Sequence, residues 1–206
     1  EASSRNYIRT PHHSSYYPNN NFTIEFWMKI DRQSEIDMTL LNKGTCISSN
    51  TMFSFILRPD SLIAIGFNCT GNCANQNSFL CSTKIQNGLC YHVAITYSSP
   101  GPKLYLNGVQ QPLSPYPGAT YCGNLFPSTE PVRIGVYRYV ADTLGQFYDG
   151  MLDEIRLWNH VRTSQEIITY AQEELTGNES GLVLYYKFSG GISGNGSTVV
   201  NNANAT

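Results

Sequence analysis

Between residues 150 and 174 the hydrophobic period of the chain changes once, from two to about 3.6, and that change restricts the folds open to it. In Gly150-Met-Leu-Asp-Glu-Ile-Arg-Leu-Trp158, Met151, Asp153, Ile155 and Leu157 alternate with Leu152, Glu154, Arg156 and Trp158. A half-buried strand sends one set inward and the other outward. Beyond it, Thr163 or Ser164 can cap a helix, Glu166 stands where a capping-box carboxylate reaches back, and Ile167, Ile168 and Ala171 fall on one helical face. The expectation is a long strand running into one short helix over 163–174.

The other periodic segments are all strand-like. Phe22, Ile24, Phe26, Met28 and Ile30 alternate with Thr23, Glu25, Trp27 and Lys29, the strongest strand pattern in the chain. Shorter strands are predicted at Tyr7–Thr10, 38–44, Met52–Arg58, Leu62–Phe67, Tyr91–Tyr97, Lys103–Val109, 132–136 and Leu182–Phe188. Asn107-Gly108 favours positive φ and a tight reversal. The intervening stretches, including 68–90 and 110–130, are rich in Gly, Pro, Asn and Ser and read as loops.

In sequence order, Gly150–Ile167, Asn21-Phe-Thr-Ile-Glu-Phe-Trp-Met-Lys-Ile30, Leu89-Cys-Tyr-His-Val-Ala-Ile-Thr-Tyr97, Lys103-Leu-Tyr-Leu-Asn-Gly-Val109 and Pro131-Val-Arg-Ile-Gly135 together resemble laminin-G-like and pentraxin-like domains of the concanavalin A-like lectin/glucanase superfamily. The resemblance covers nearly the whole chain. It implies an all-β, two-sheet antiparallel jelly-roll sandwich and leaves function open, because one fold hosts many functions. The expected domain is 1–189, with 190–206, rich in Gly, Asn, Ser and Thr, as a tail or linker. A chain of 206 residues is long enough for one sizeable core.

With 14% charged residues and a net charge of −2, no basic field is present to hold nucleic acid or an anionic membrane. No apolar run approaches the roughly 20 residues of a membrane span. Six cysteines, Cys46, Cys69, Cys73, Cys81, Cys90 and Cys122, lack zinc-ligand spacing. Their even number accompanies five N-glycosylation sequons, at Asn21, Asn68, Asn178, Asn195 and Asn204. Together these predict a secreted or cell-surface glycoprotein with disulfides. The chain starts at Glu1 without an apolar leader, as one whose signal peptide has been removed does. At least one bridge is expected wholly inside 69–90, with Cys122 tying a later loop back.

Catalysis is not expected. The catalytic branch of the resembling superfamily places carboxylates in Glu-x-Asp-x-Glu on one strand, since retaining glycoside hydrolysis needs two of them roughly 5 Å apart. Here neither Asp153 nor Glu154 has an acidic residue two positions away, nor does Glu25. No cofactor is required. In pentraxin-like relatives calcium is held by an acidic and amide run after the strand matching 132–135. That run here is Val136-Tyr-Arg-Tyr139, without a carboxylate, so Asp149 and Asp153 are the candidate ligands of a structural calcium.

For recognition, Tyr116, Tyr121, Tyr137 and Tyr139 can stack on sugar rings and Arg138 can hydrogen-bond hydroxyls. The expected partners are glycans or extracellular proteins. The alternative is a homopolymer, a structural subunit of a glycosylated filament or coat. Leu182–Phe188 resembles the opening strand of a laminin-G-like domain, so this C-terminal strand can complete its own sheet or be added to a neighbour's.

Overall fold

The computed structural model describes residues 6–17, 20–45, 50–72, 77–139, 143–189 and 200–204. Two antiparallel sheets form a sandwich. The seven-stranded sheet runs, from edge to edge, β1 (Ile8–Thr10), β11 (Val132–Ile134), β3 (Met38–Lys43), β4 (Phe53–Leu57), β5 (Leu62–Phe67), β6 (Asn77–Lys84) and β10 (Leu113–Pro115). The six-stranded sheet runs β15 (Leu182–Tyr186), β14 (Gly150–Trp158), β2 (Phe22–Ile30), β7 (Cys90–Tyr97), β8 (Lys103–Leu106) and β9 (Val109–Gln111). A small hairpin, β12 (Tyr137–Arg138) with β13 (Leu144–Gly145), hangs beyond β11.

Alternation builds the core. Phe22, Ile24, Phe26 and Met28 of β2 meet Phe53 and Phe55 of β4 and Phe67 of β5, all with essentially no exposure. Phe22 stacks on Tyr97 at 5.5 Å between ring centroids. The Asn107-Gly108 turn has positive φ at both residues, as its sequence predicts. A Cβ on Gly108 would lie 2.2 Å from Ile168 of the helix, so glycine serves both the turn and the helix above it.

Helix α1 (Ser164–Tyr170) has the predicted capping box, with Thr163 and Glu166 bonding each other's backbone N–H. It ends four residues before the expected boundary. Only Ile167 of its predicted apolar face is buried, against Ala94 and Tyr105, while Ile168 is half exposed.

The alternation of β14 does not run unbroken. Asp153 pairs with Trp27 but Arg156 pairs with Glu25, so three steps on β14 match two on β2, and Glu154 takes φ +50°. This is a β-bulge. It moves Met151 and Asp153 onto the outward side with Arg156 and Trp158, while Ile155 and Leu157 stay in the core.

Strands β6 and β10 lie in stretches read from sequence as loops. They form because Phe79, Leu113 and Cys81 reach the core. The expected bridge inside 69–90 is absent. Cys69 joins Cys122, with Cα atoms 6.1 Å apart, while Cys81 is a buried and Cys90 an exposed free thiol. Cys46 and Cys73 lie outside the described residues. Asn68 is a further correction to the sequon set. It is fully buried, its Nδ2 donates to Asn72 O and its Oδ1 accepts from Thr70 N, which leaves no path for a glycan. Asn21, Asn178 and Asn204 are exposed, and Asn195 lies outside the described residues.

Candidate functional site

The outer face of the seven-stranded sheet is polar because of strand register. Val132 and Ile134, Phe53 and Phe55, and Ile65 and Phe67 point into the core, so the residues between them point out. Arg9 pairs with Arg133, Arg133 with Asn42, Asn42 with Ser54, Ser54 with Gly66 and Gly66 with Ser78. Tyr116 N donates to Ser78 O and continues the row. At the usual strand spacing, Arg133 to Tyr116 spans roughly 24 Å.

Tyr137 and Arg138 lie in the small hairpin after β11, with Tyr139 next to them, and Arg138 is tied to Arg133 of the row through Glu130. The Tyr137 and Tyr139 rings meet edge to face at 5.1 Å between centroids, and Tyr139 is 40% exposed. Glu130 Oε2 accepts from Arg133 Nη2 at 3.1 Å and from Arg138 Nη1 at 3.3 Å, so one carboxylate orients two guanidinium groups. Lys43 Nζ donates to Glu130 O at 2.7 Å and holds that loop down. Burial brings the Lys43 amine down to about 8. Asn42 and Arg133 are themselves buried, at 0% and 3% exposure, and their Oδ1 and Nη1, an acceptor and a donor on adjacent strands, have no hydrogen-bond partner among the described residues.

Of the aromatic residues singled out by sequence, Tyr116 stands at the Ser78 end of the row, its hydroxyl bonded by Arg58 Nη1. Tyr121 is not on this face: it packs against the core, 5.3 Å from Tyr97, beside the disulfide. Arg133, Asn42, Ser54 and Ser78 were not singled out, and the register that aligns them is a non-local property. The two carboxylates considered for calcium do not converge. Asp149 Oδ2 pairs with Arg32 at 2.8 Å, and Asp153 Oδ1 accepts from Glu154 N. Four residues apart on extended chain, they are roughly 13 Å from each other. Among the described residues no three His, Cys, Asp or Glu side chains group as metal ligands.

The opposite sheet carries a concavity of about 460 Å³ past the end of α1, lined by Trp27, Met151, Asp153, Cys90 and Glu173 among others. Trp27 Nε1 donates to Ala171 O, so its ring is fixed in place.

Beneath α1 lies a buried polar network. Glu25, with no exposure, accepts from Trp158 Nε1 at 2.7 Å, and its other oxygen is 3.7 Å from His92 Nε2. Arg156 Nη1 is 3.7 Å from Glu25 Oε1, and Arg162 lies 3.8 Å above the Trp158 ring. Burial, with Arg156 and Arg162 nearby, holds His92 down at about 4, and burial pushes Glu25 up. A histidine depressed in the folded state favours folding above its ordinary value near 6.5 and loses that contribution as pH falls toward 4. Stability is therefore expected to drop between pH 6.5 and 4 by up to about 3 kcal/mol, partly offset by proton uptake at Glu25. Denaturant titrations across that window check this, and His92→Gln should flatten the dependence.

Two antiparallel sheets packed face to face, with a polar row on the outer side of one of them, define a jelly-roll β-sandwich. Residues 2–168 match the family model of the concanavalin A-like lectin/glucanases superfamily, and the chain belongs to that family. No curated protein sequence matches it. Among solved structures, a candidate carbohydrate binding protein from Bacteroides ovatus superposes with a TM-score of 0.72 at 19% identity, covering 95% of this chain and 52% of that one. The chain thus spans about half the length of the Bacteroides protein. Domain 4 of AbnA, an extracellular arabinanase from Geobacillus stearothermophilus, solved with arabinotriose, gives 0.59 at 18% identity over 81% of this chain and 72% of that one. The heptameric SAP-like pentraxin of Limulus polyphemus gives 0.56 at 16% identity, with 81% of each chain covered. At these identities the likeness is one of fold. Among the described residues no helix is long and apolar enough to cross a membrane.

Proposed function

We propose that this chain is a non-catalytic, secreted recognition domain that binds glycans across the outer face of its seven-stranded sheet. The observation that carries this reading is the polar row Arg133, Asn42, Ser54, Ser78, with Tyr137 and Tyr139 beside Arg138, which Glu130 ties to Arg133, and Tyr116 at the Ser78 end. Sugars are bound by this combination: aromatic rings take the apolar face of a pyranose, and aligned donors and acceptors take its hydroxyls. Asn42 and Arg133 lie buried at the base of the row, where their unpartnered Oδ1 and Nη1 each cost about 1–3 kcal/mol unless water completes them, and the half-buried Ser54 and Ser78 are the part of the row a ligand meets. Arg9, Arg133 and Arg138 against the single Glu130 favour a ligand with an acidic group. The printed names of the Bacteroides protein and of the arabinanase domain with arabinotriose support carbohydrate as the ligand class. The sequons and the Cys69–Cys122 bond support secretion.

A glycan array tests this. Binding is expected, and Tyr137→Ala and Tyr139→Ala should each weaken it about tenfold, the loss of roughly 1.4 kcal/mol of ring contact. An array without hits, or affinity unchanged in both variants, rejects the proposal. A second reading, a structural subunit that joins copies of itself, is supported by the heptameric pentraxin among the similar structures.

A further inference from the structure

On the outer face of the six-stranded sheet, strand register sets two rows side by side. Asp153 pairs with Trp27 and Trp27 with His92, while Met151 pairs with Lys29 and Lys29 with Cys90. Residues two apart on a strand share a face, so the two rows make one patch. His92 is buried, whereas Met151 is 59% exposed and Cys90 carries an exposed free thiol. The chain leaving α1 walls this patch at residues 171–174 and completes the concavity of about 460 Å³. That volume is in the range of pockets that hold a small organic ligand.

The charge around it is one-sided. Asp153, Glu154, Glu173 and Glu174 line the concavity against one basic residue, Lys29. Lys29 Nζ is drawn to Asp31 at 3.3 Å, Glu154 is taken by Arg156 and the Tyr185 hydroxyl, and Glu174 pairs with Lys187 at 3.0 Å. Asp153 gives one oxygen to Glu154 N at 2.8 Å. Its other oxygen and the carboxylate of Glu173 have no hydrogen-bond or ion-pair partner among the described residues. Burial pushes the Asp153 carboxyl up, and the charge of Glu174 acts in the same direction. Among the described residues no three acidic side chains converge as metal ligands, so the arrangement suits a bulkier cation than a metal ion.

Between the carboxylates the lining is apolar, with the Trp27 indole and the Met151 thioether on it. Trp27 Nε1 donates to Ala171 O at 2.8 Å, which holds the ring still, and a fixed indole is the best aromatic partner for an organic cation. An anion would meet uncompensated negative charge here, and a neutral chain would leave that charge unanswered. The matching ligand is positive at one end and apolar along its length.

We propose that this concavity binds an aliphatic amine, its ammonium group at the Asp153 and Glu173 carboxylates and its chain along Trp27 and Met151. The site is on the sheet opposite the glycan-binding face and stands whether or not that face binds sugar.

The test uses the full chain and three probes of one length: hexylamine, 1-hexanol and hexanoate. Calorimetry is expected to show hexylamine binding at least about tenfold more tightly than hexanol, with no heat from hexanoate. Because Cys90 lines the site, hexylamine at ten times its Kd should slow alkylation of Cys90 by N-ethylmaleimide about tenfold, read at that residue by peptide mass. Met151→Lys and Glu173→Gln, both at exposed positions, should each weaken hexylamine at least about fivefold. If either fails to fold by near-UV circular dichroism, Asp153→Asn, which keeps an acceptor for Glu154 N, replaces it. Nα-acetyl-lysine amide separates the two sources of such a group: tighter binding than hexylamine marks a lysine side chain of a protein partner as the ligand, and weaker binding marks a free amine. Equal affinity for hexylamine and hexanol, no heat from hexylamine at millimolar concentration, affinity unchanged in the variants, or Cys90 alkylated at the same rate with amine bound overturns the proposal.

Discussion

Arg156→Ala is expected to cost about 3–5 kcal/mol, because it leaves buried charge without its partner. Arg156 is 1% exposed and works in four directions. Nη2 bonds Glu154 Oε2 at 2.6 Å and Glu173 O, Nη1 bonds Tyr170 O at 2.7 Å, and Glu25 Oε1 lies 3.7 Å away. It thus ties the bulge on β14, the end of α1 and the following turn to one another. Alanine strands the Glu25 carboxylate, which has no exposure, and frees two carbonyls that have lost their donor. The midpoint of guanidinium denaturation should fall with the slope unchanged. Glu25→Gln combined with Arg156→Met should recover part of the loss, since an apolar replacement of a whole buried pair is often nearly neutral. A loss under 1 kcal/mol for the single variant contradicts the account.

Replacing both Cys69 and Cys122 with serine should have the next largest effect. Their bond closes 53 residues, and loop-closure entropy alone predicts about 4 kcal/mol. For a domain of this size that is a fall in melting temperature of roughly 10 °C. The bond matters locally because it pins the loop after β10 to the end of β5, where Tyr121 covers Tyr97. The free thiols give an independent check. Alkylation of the native protein should label exposed Cys90 at once and buried Cys81 only on unfolding. An unchanged melting temperature, or Cys81 labelled as fast as Cys90, would show that this part of the fold is wrong.

The elements with a strong local signal were legible in the sequence. β2 and β14 occupy the residues their alternation predicts, and Thr163 and Glu166 form the capping box written into Thr163-Ser-Gln-Glu166. What was illegible depended on contacts from far along the chain. The bulge at Glu154 is fixed by pairing with β2, so the alternation read from β14 alone placed Met151 and Asp153 with the wrong set. Glu25 reads as an outward strand residue, yet α1 and the turn after it cover that side of the sheet. β6 was hidden by its setting among Asn, Gly and Cys. The site divided in the same way. Tyr137, Arg138 and Tyr139 stood out as a short aromatic and basic run, whereas Arg133, Asn42, Ser54 and Ser78 become one row only when four strands are aligned.

The central claim is that the outer face of the seven-stranded sheet is where glycans bind. Amide chemical-shift mapping of the labelled protein, titrated with the strongest glycan from the array, tests it most directly. Shifts are expected at Asn42, Ser54, Ser78, Arg133 and Tyr137–Tyr139, with little change around Trp27 and Met151 on the opposite sheet. Shifts confined to the Trp27 concavity, or spread without a cluster on either face, would contradict it.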